Sequence, residues 1–266
     1  QRITRLLQNK GYYKFNKDFL VYQADTTRNT YLVDLTLKLL PYQRKKEDPP
    51  QKHRQYLVNS VNFIADSEMT PIRKGSFTGF DSLSYKGYNM YYKDKMFLRP
   101  KLLVDFNRIR PGEFYSERDV QNTYSALGRL RMLKYSNIRF KEVNVSDSTK
   151  LDAYIVMSKG QNKSVSFEIE GTNSAGDLGA AASISFQHRN VFKGSETFTM
   201  KVRGAYEAIT GLGQDYVNDN YTEYGVESSL NFPEFMFPFL SSDFKRKIKA
   251  TSEVGLKFTS QVRPEF

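Results

Sequence analysis

Lys163–Met200 reads KSVSFEIEGTNSAGDLGAAASISFQHRNVFKGSETFTM, and its pattern decides the architecture. Val165, Phe167 and Ile169 alternate with Ser164, Ser166, Glu168 and Glu170. After a Gly/Asn/Ser turn, Leu178, Ala180, Ala182, Ile184 and Phe186 alternate with Gly179, Ala181, Ser183, Ser185 and Gln187. A second turn, Asn190 to Gly194, leads to Phe198, Met200 and Val202 in alternation with Thr197, Thr199, Lys201 and Arg203. Period-two alternation between turns predicts an antiparallel meander, apolar on one face and small or polar on the other. Such a sheet without covering helices needs an apolar solvent or a closed barrel. Downstream, a polar loop over 205–220 leads to a fourth strand over 222–232. The aromatic, Pro-interrupted connection PEFMFPFLSS (233–242) leads to a fifth strand over 247–262.

Upstream, residues 1–9 carry Ile3, Leu6 and Leu7 at helical spacing, and Gly11 follows as a helix terminator. Strands are expected over 15–24 and 30–40 around a turn at 25–29. Residues 41–54 (PYQRKKEDPPQKHR) read as a charged linker stiffened by Pro49 and Pro50, with the basic run Arg44, Lys45 and Lys46 solvated. Residues 55–65 form a strand with Tyr56, Val58 and Ser60 on one face and Leu57, Asn59, Val61 and Phe63 on the other. The Gly-rich segment 66–88 is an insertion loop, and 89–97 a short returning strand. A short helix over 99–107 has Pro100 in its first turn. Ser116 caps a second helix over 117–130, with Asp119 three residues on, and this helix buries Val120, Tyr124, Leu127 and Leu130. Strands over 132–145 and 150–157 complete the unit, which reads β-α-α-β-β. The helix-to-hairpin junction repeats, as LLQNKGYYKFNKDFLVYQ and LGRLRMLKYSNIRFKEV. Helices on one face of a small sheet leave a strand edge that an extended peptide can join.

The chain has 40 Lys plus Arg against 29 Asp plus Glu, so a net charge of +11 favours an anionic surface without choosing between lipid and nucleic acid. It has no Cys, which removes disulfides and thiol chemistry. No run approaches the ~20 apolar residues of a membrane helix, but a membrane strand needs only about ten alternating residues. Gln1 is not a natural start, so the chain is expected to begin inside a larger polypeptide, and five strands are too few to close a barrel. The two histidines, His53 and His188, have no partner at metal-ligand spacing. Glu168 and Glu170 share a strand face as a glycosidase pair would, but a polar barrel lumen is the better account of them. The Gly-bearing stretch 171–176 joins strand to strand and so fails as a phosphate loop. No enzyme activity, metal or cofactor is expected.

Two stretches carry a family resemblance. In IRPGEFYSERDVQNTYSALGRLRMLKYSNIRF, Ile109, Pro111, Gly112 and Tyr115 precede the second helix, and Leu127, Leu130 and Tyr135 close it before the hairpin. This resembles the last polypeptide-transport-associated (POTRA) domain of the BamA/TamA outer-membrane assembly superfamily. Asn190, Val191, Phe192 and Gly194 are similar to the turn between the second and third barrel strands of that superfamily, with Lys193 where Gly is common. The insertion loop and FPEFMFPF look like the Bacteroidetes branch, TamA-like or BamA-like. The resemblance implies α+β POTRA units followed by antiparallel strands that open a transmembrane β-barrel. Residues 1–40 would be the end of one POTRA domain, 41–54 a linker, 55–160 the final POTRA domain and 161–266 the first barrel strands. The protein would then be an assembly factor of the outer membrane with its POTRA part in the periplasm. Its partners would be unfolded outer-membrane clients, outer-membrane lipid, and accessory assembly subunits or a periplasm-spanning protein, with no nucleic acid. The first barrel strand, Ser164, Val165, Ser166, Phe167, Glu168, Ile169 and Glu170, would be the lateral-gate strand, with the backbone of Ser164, Ser166 and Glu168 at the gate. The hairpin edge carrying Lys134, Tyr135, Asn137, Arg139 and Lys141 would dock clients. Asn190, Phe192 and Gly194 would form the barrel turn. A two-partner-secretion transporter has the same layout, and a basic nucleic-acid-binding module is the rival of another class.

Overall fold

A computed structural model of the chain describes residues 1–25, 27, 33–43, 49–65, 79–145, 148–174, 177–209, 220–239, 241, 244, 248 and 250–263. The chain divides into two compact units. One comprises Gln1–Lys95, Phe106–Leu127 and Ser136–Met157, and the other Met96–Asp105, Gly128–Tyr135 and Ser158–Phe266. The Arg44–Lys46 run and most of the 66–88 insertion lie outside the described residues. No helix among those described is long and apolar enough to cross a membrane.

The first unit begins with α1 (Arg2–Gln8) and a hairpin of β1 (Leu20–Asp25) and β2 (Asp34–Leu39). The strand expected from residue 15 starts later. Asn16 accepts a hydrogen bond from Asp18 N at 2.8 Å and caps a 3-10 turn over Lys17–Phe19, and an Asn so placed offers the backbone an alternative to the ladder. A five-stranded sheet follows, in the order β4-β5-β3-β7-β6. Its strands are β3 (Leu57–Ala65), β4 (Asp81–Tyr85), β5 (Tyr88–Tyr92), β6 (Leu133–Val145) and β7 (Ser148–Lys159). Thus part of the expected insertion loop is strand β4, paired antiparallel to β5, and β5 ends at Tyr92 rather than 97. Between β5 and β6 lie α2 (Pro100–Phe106) and α3 (Glu117–Leu127). Ser116 Oγ accepts from Asp119 N, as the cap pattern predicts. Helix α3 stops at Leu127, before exposed Gly128, and buries Val120, Thr123, Ala126 and Leu127; Tyr124 is only half-buried.

β3 lies parallel to β5 and β7, buried on both faces toward its end, as interior parallel strands are. The two faces expected for it are wrong at Asn59. The register against β7 shifts between Val58 and Ser60, and a bulge moves every later side chain to the other face. Val58, Val61 and Phe63 therefore stand beside Leu151, Ala153 and Ile155 on one side. Asp152 accepts from Asn59 Nδ2 at 2.8 Å and from Ser60 Oγ at 2.6 Å, which occupies the polar groups at the bulge.

Residues 11–15 join this unit through aromatic rings. Tyr13 sits edge-on to Tyr56 and Tyr115 with centroids 5.7 and 4.9 Å away, and Tyr115 meets Phe140 at 5.2 Å. Segment 112–115 lies along β3: Gly112 N donates to Val58 O, and Tyr115 N to Tyr56 O. Gly11 O accepts from Tyr56 N, and at φ +100° a Cβ on Gly11 would lie 3.1 Å from the Phe114 ring. Burial of Tyr13 raises its phenol pKa, with Glu142 adding to the effect.

The second unit is a five-stranded antiparallel meander, β8 (Lys163–Ser174), β9 (Asp177–Arg189), β10 (Thr197–Ala208), β11 (Asn220–Phe232) and β12 (Ser252–Val262), paired in chain order. The strands run longer than the alternation indicated at the 171–176 turn and the 205–220 loop, and β12 starts later than 247. One cross-strand row is Phe167, Ile184, Val202, Val226 and Phe258; the next is Val165, Phe186, Met200, Ser228 and Leu256. These apolar side chains stand out to solvent, Leu256 by 78%. The opposite face carries Ser166, Ser185, Lys201, Glu227 and Lys257 in a single row.

Replacing Gly11 by Ala should cost about 1–3 kcal/mol, because a side chain at that φ is strained and crowds Phe114. Urea unfolding followed by near-ultraviolet tyrosine dichroism would show the lowered midpoint.

Candidate strand-pairing edges and the buried turn

β8 pairs with β9 and with no other strand among the described residues, which leaves one side of it open. Which residues face that side follows from the ladder. Arg189 N donates to Asn162 O at 2.7 Å, continuous with the β8–β9 register. In an antiparallel pair, residues that exchange backbone bonds recur at every second position. Ser164, Ser166, Glu168 and Glu170 therefore give their backbone groups to β9. Val165, Phe167 and Ile169 turn theirs to the open side, whereas Ser164, Ser166 and Glu168, whose backbone was expected at the gate, bond to β9. The apolar side chains of the same three stand exposed, Ile169 by 73%.

The carboxylates of β8 reach over β9. Lys201 Nζ lies 3.2 Å from Glu168 Oε2, and Arg203 Nη1 lies 2.9 Å from Glu170 Oε2. Both cations are on β10, two strands away. They reach because β9 presents only Ala181, Ser183 and Ser185 on this face, and Ser183 Oγ itself donates to Glu168 at 3.1 Å. Among the described residues no group of three or more His, Cys, Asp or Glu side chains could hold a metal ion.

β6 forms one edge of the first unit's sheet. Of the residues expected to dock clients, Lys134, Tyr135, Arg139 and Lys141 are exposed, and Asn137 is half-buried. Asn137 Oδ1 is 3.0 Å from the Tyr124 hydroxyl. The sequence pattern assigned Tyr124 to the buried face of α3 and gave no sign that it reaches this strand.

The turn at Asn190–Gly194 is held more elaborately than its residues indicate. Asn190, Lys193 and Ser195 all take left-handed conformations, with φ of 69°, 60° and 59°, which non-glycine residues adopt rarely. Asn190 Oδ1 accepts from Ser195 N at 2.9 Å while its Nδ2 donates to Phe97 O at 2.7 Å. Glu196, only 2% exposed, closes the loop. Its Oε2 accepts from Phe192 N at 3.1 Å and Gly194 N at 2.9 Å, and its Oε1 meets Arg99 Nη2 at 2.8 Å. Arg99 N donates to Lys193 O, and Met132 N to Ser195 Oγ. Gly194 is required for space: a Cβ there would lie 2.1 Å from both Arg99 Nη2 and Glu196 Oε1. Phe192 contributes its N–H, and its ring is exposed. Glu196 and Arg99 were missed because they lie 97 residues apart; a Glu just after a Gly-Ser turn was the one local signal.

No family model and no curated protein matches the sequence. Solved structures do. The chain is similar to BamA from Haemophilus ducreyi lacking POTRA domains 1–3, at 12% identity over 98% of this chain and 43% of that one, with a TM-score of 0.44. It is similar to CdiB from Acinetobacter baumannii at 8% identity over 84% of this chain and 58% of that one, TM-score 0.35. The POTRA3–5 segment of Haemophilus influenzae BamA matches 59% of this chain and 77% of its own length at 12% identity, TM-score 0.23. The chain thus spans less than half the length of the first of these.

Removing the Glu196 carboxylate leaves two backbone N–H groups without their acceptor, so Glu196→Ala should cost about 1–3 kcal/mol. Gly194→Ala acts on the same pair. Combined with Arg99→Ala, its cost should fall well short of the sum of the single losses in thermal unfolding.

Proposed function

We propose that this chain is part of an outer-membrane protein assembly factor, in which β8–β12 are the opening strands of a membrane barrel and the β3-α2-α3-β6-β7 arrangement is a periplasmic POTRA domain. The observation that carries this reading is the two-faced meander: an exposed apolar face, an ionic face and, at β8, an open backbone edge. Strands of 11 to 13 residues suffice for a membrane whose tilted strands need about 9–11. The face bearing Phe167, Ile184, Val202, Val226 and Phe258 faces lipid, and the face bearing Glu168, Lys201 and Arg203 lines the lumen. Hydrocarbon satisfies no backbone group, so an unfolded client strand gains most where a preformed edge offers its N–H and C=O groups. β8 offers them at Val165, Phe167 and Ile169, and β6 offers a second edge to chains still in the periplasm. The work is templated hydrogen bonding and involves no covalent step.

Proline at Phe167 or Ile169 in the full-length protein removes an outward N–H without breaking a β8–β9 bond, as edge strands tolerate. These variants should fold, judged by heat-modifiable electrophoretic mobility, yet lower the levels of client barrels in the outer membrane, while alanine at the same sites should not. Normal client levels in the proline variants would sink the gate. Loss of a single secreted protein instead would favour a dedicated transporter. Val226→Arg, in the middle of the apolar face, should destabilise the liposome-embedded protein by about 2–4 kcal/mol, read from denaturant unfolding.

A further inference from the structure

The open side of β6 is not open along its whole length. At Ile138 the backbone N–H donates to the Tyr124 hydroxyl at 2.7 Å, and the same oxygen lies 3.3 Å from Ile138 O. In an antiparallel strand the N–H and C=O of one residue project to the same side. β7 occupies the other side of β6, so one side chain from α3 engages both backbone groups of Ile138 at the place an added strand would use. The hydroxyl accepts from the N–H and has one proton to give, to Ile138 O or to Asn137 Oδ1. Side chains or bulges that interrupt an edge are a recognised defence against unwanted pairing. The charges beside this position have one sign. Lys134, Arg139 and Lys141 are exposed, whereas Glu142 is taken by Lys14 at 2.8 Å.

We propose that Tyr124 is a latch on the β6 edge: an extended segment pairs across Ile138 only after the hydroxyl withdraws, and the flanking cations favour segments that carry acidic side chains. This rests on the reading of β6 as a docking edge and adds to it a threshold and a charge preference. Acidic residues opposite Arg139 and Lys141 would form cross-strand pairs. A segment lacking them has less with which to displace the hydroxyl.

The test uses the full-length protein in detergent and two fluorescent peptides of about ten residues, one alternating Val with Glu and one alternating Val with Lys; about ten residues cover most of a strand. Fluorescence anisotropy should show the Glu peptide binding about three- to tenfold tighter to Tyr124→Phe than to the wild type, since one competing hydrogen bond is gone. The Lys peptide should bind more weakly to both, and Ile138→Pro, which removes the latched N–H, should abolish the gain. Unchanged affinity in Tyr124→Phe, equal binding of the two peptides, or a gain that survives Ile138→Pro would each overturn the proposal. Hydrogen exchange in the wild type provides a check that needs no variant. The Ile138 amide should exchange at least about tenfold more slowly than that of Phe140, two residues on along the same strand, and equal rates would overturn the latch. Should these arms fail while proline at Phe167 still lowers client levels, the latch falls and the assembly function stands.

Discussion

Each residue of an antiparallel strand commits both backbone groups to one neighbour, and its side chain to one face. On β8 these two alternations coincide. The residues whose N–H and C=O look outward, Val165, Phe167 and Ile169, are the residues whose side chains line the apolar face. A strand added at that edge would exchange hydrogen bonds opposite these three, placing its own bonded residues on the same apolar face. Its remaining residues would fall beside Ser166 and Glu168 on the ionic face. A strand whose polar and apolar residues alternate in that phase would therefore match both faces of the sheet at this edge.

An edge strand needs something other than its outer backbone to hold it in place. β8 is tied across β9 by the Lys201–Glu168 and Arg203–Glu170 contacts. Strands lie ≈ 4.8 Å apart, so these pairs span about twice that distance, and only Lys and Arg stems lying over Ala181, Ser183 and Ser185 can do so. Partly exposed ion pairs add little to stability. Their value here is geometric. They act through side chains on the ionic face and leave the outward N–H and C=O groups of β8 uncommitted.

Period two was readable wherever a strand had one apolar face, which is why β8 to β11 stand close to where alternation puts them. Where both faces are buried, alternation loses its meaning. In β3 the bulge at Asn59 reversed the faces, and nothing in QYLVNSVNFIA marks an extra residue. The Asn16 turn was hidden because its residues look like any strand lead-in. β4 was hidden by its polar residues, Asp81, Ser82 and Ser84, and by an exposed edge position that asks for no apolar side chain. At the two open edges, residue types were legible but partners were not. Which β8 residues face outward depends on a hydrogen bond from Arg189, and Tyr124 sits at helical spacing that a buried side chain satisfies equally well.

The Asn190–Glu196 turn shows how left-handed positions can be kept without glycine at any of them. Left-handed conformation costs an L-residue roughly 1–2 kcal/mol, and the turn holds three such residues, one of them Lys193. Asparagine alone among them has a side chain suited to that region. The compensation is concentrated in a single buried carboxylate. Glu196 takes two backbone N–H groups from within the loop and the Arg99 guanidinium from outside it. A charge this buried is tolerable only when its acceptor sites are filled, so the loop geometry and the Arg99 position are mutually required. Gly194 is then constrained by space rather than by its backbone, because any side chain would occupy the position of the ion pair. Strain in Lys193 and the small size of residue 194 are two consequences of burying the same carboxylate. A glycine at position 193 would relieve the first and leave the second untouched.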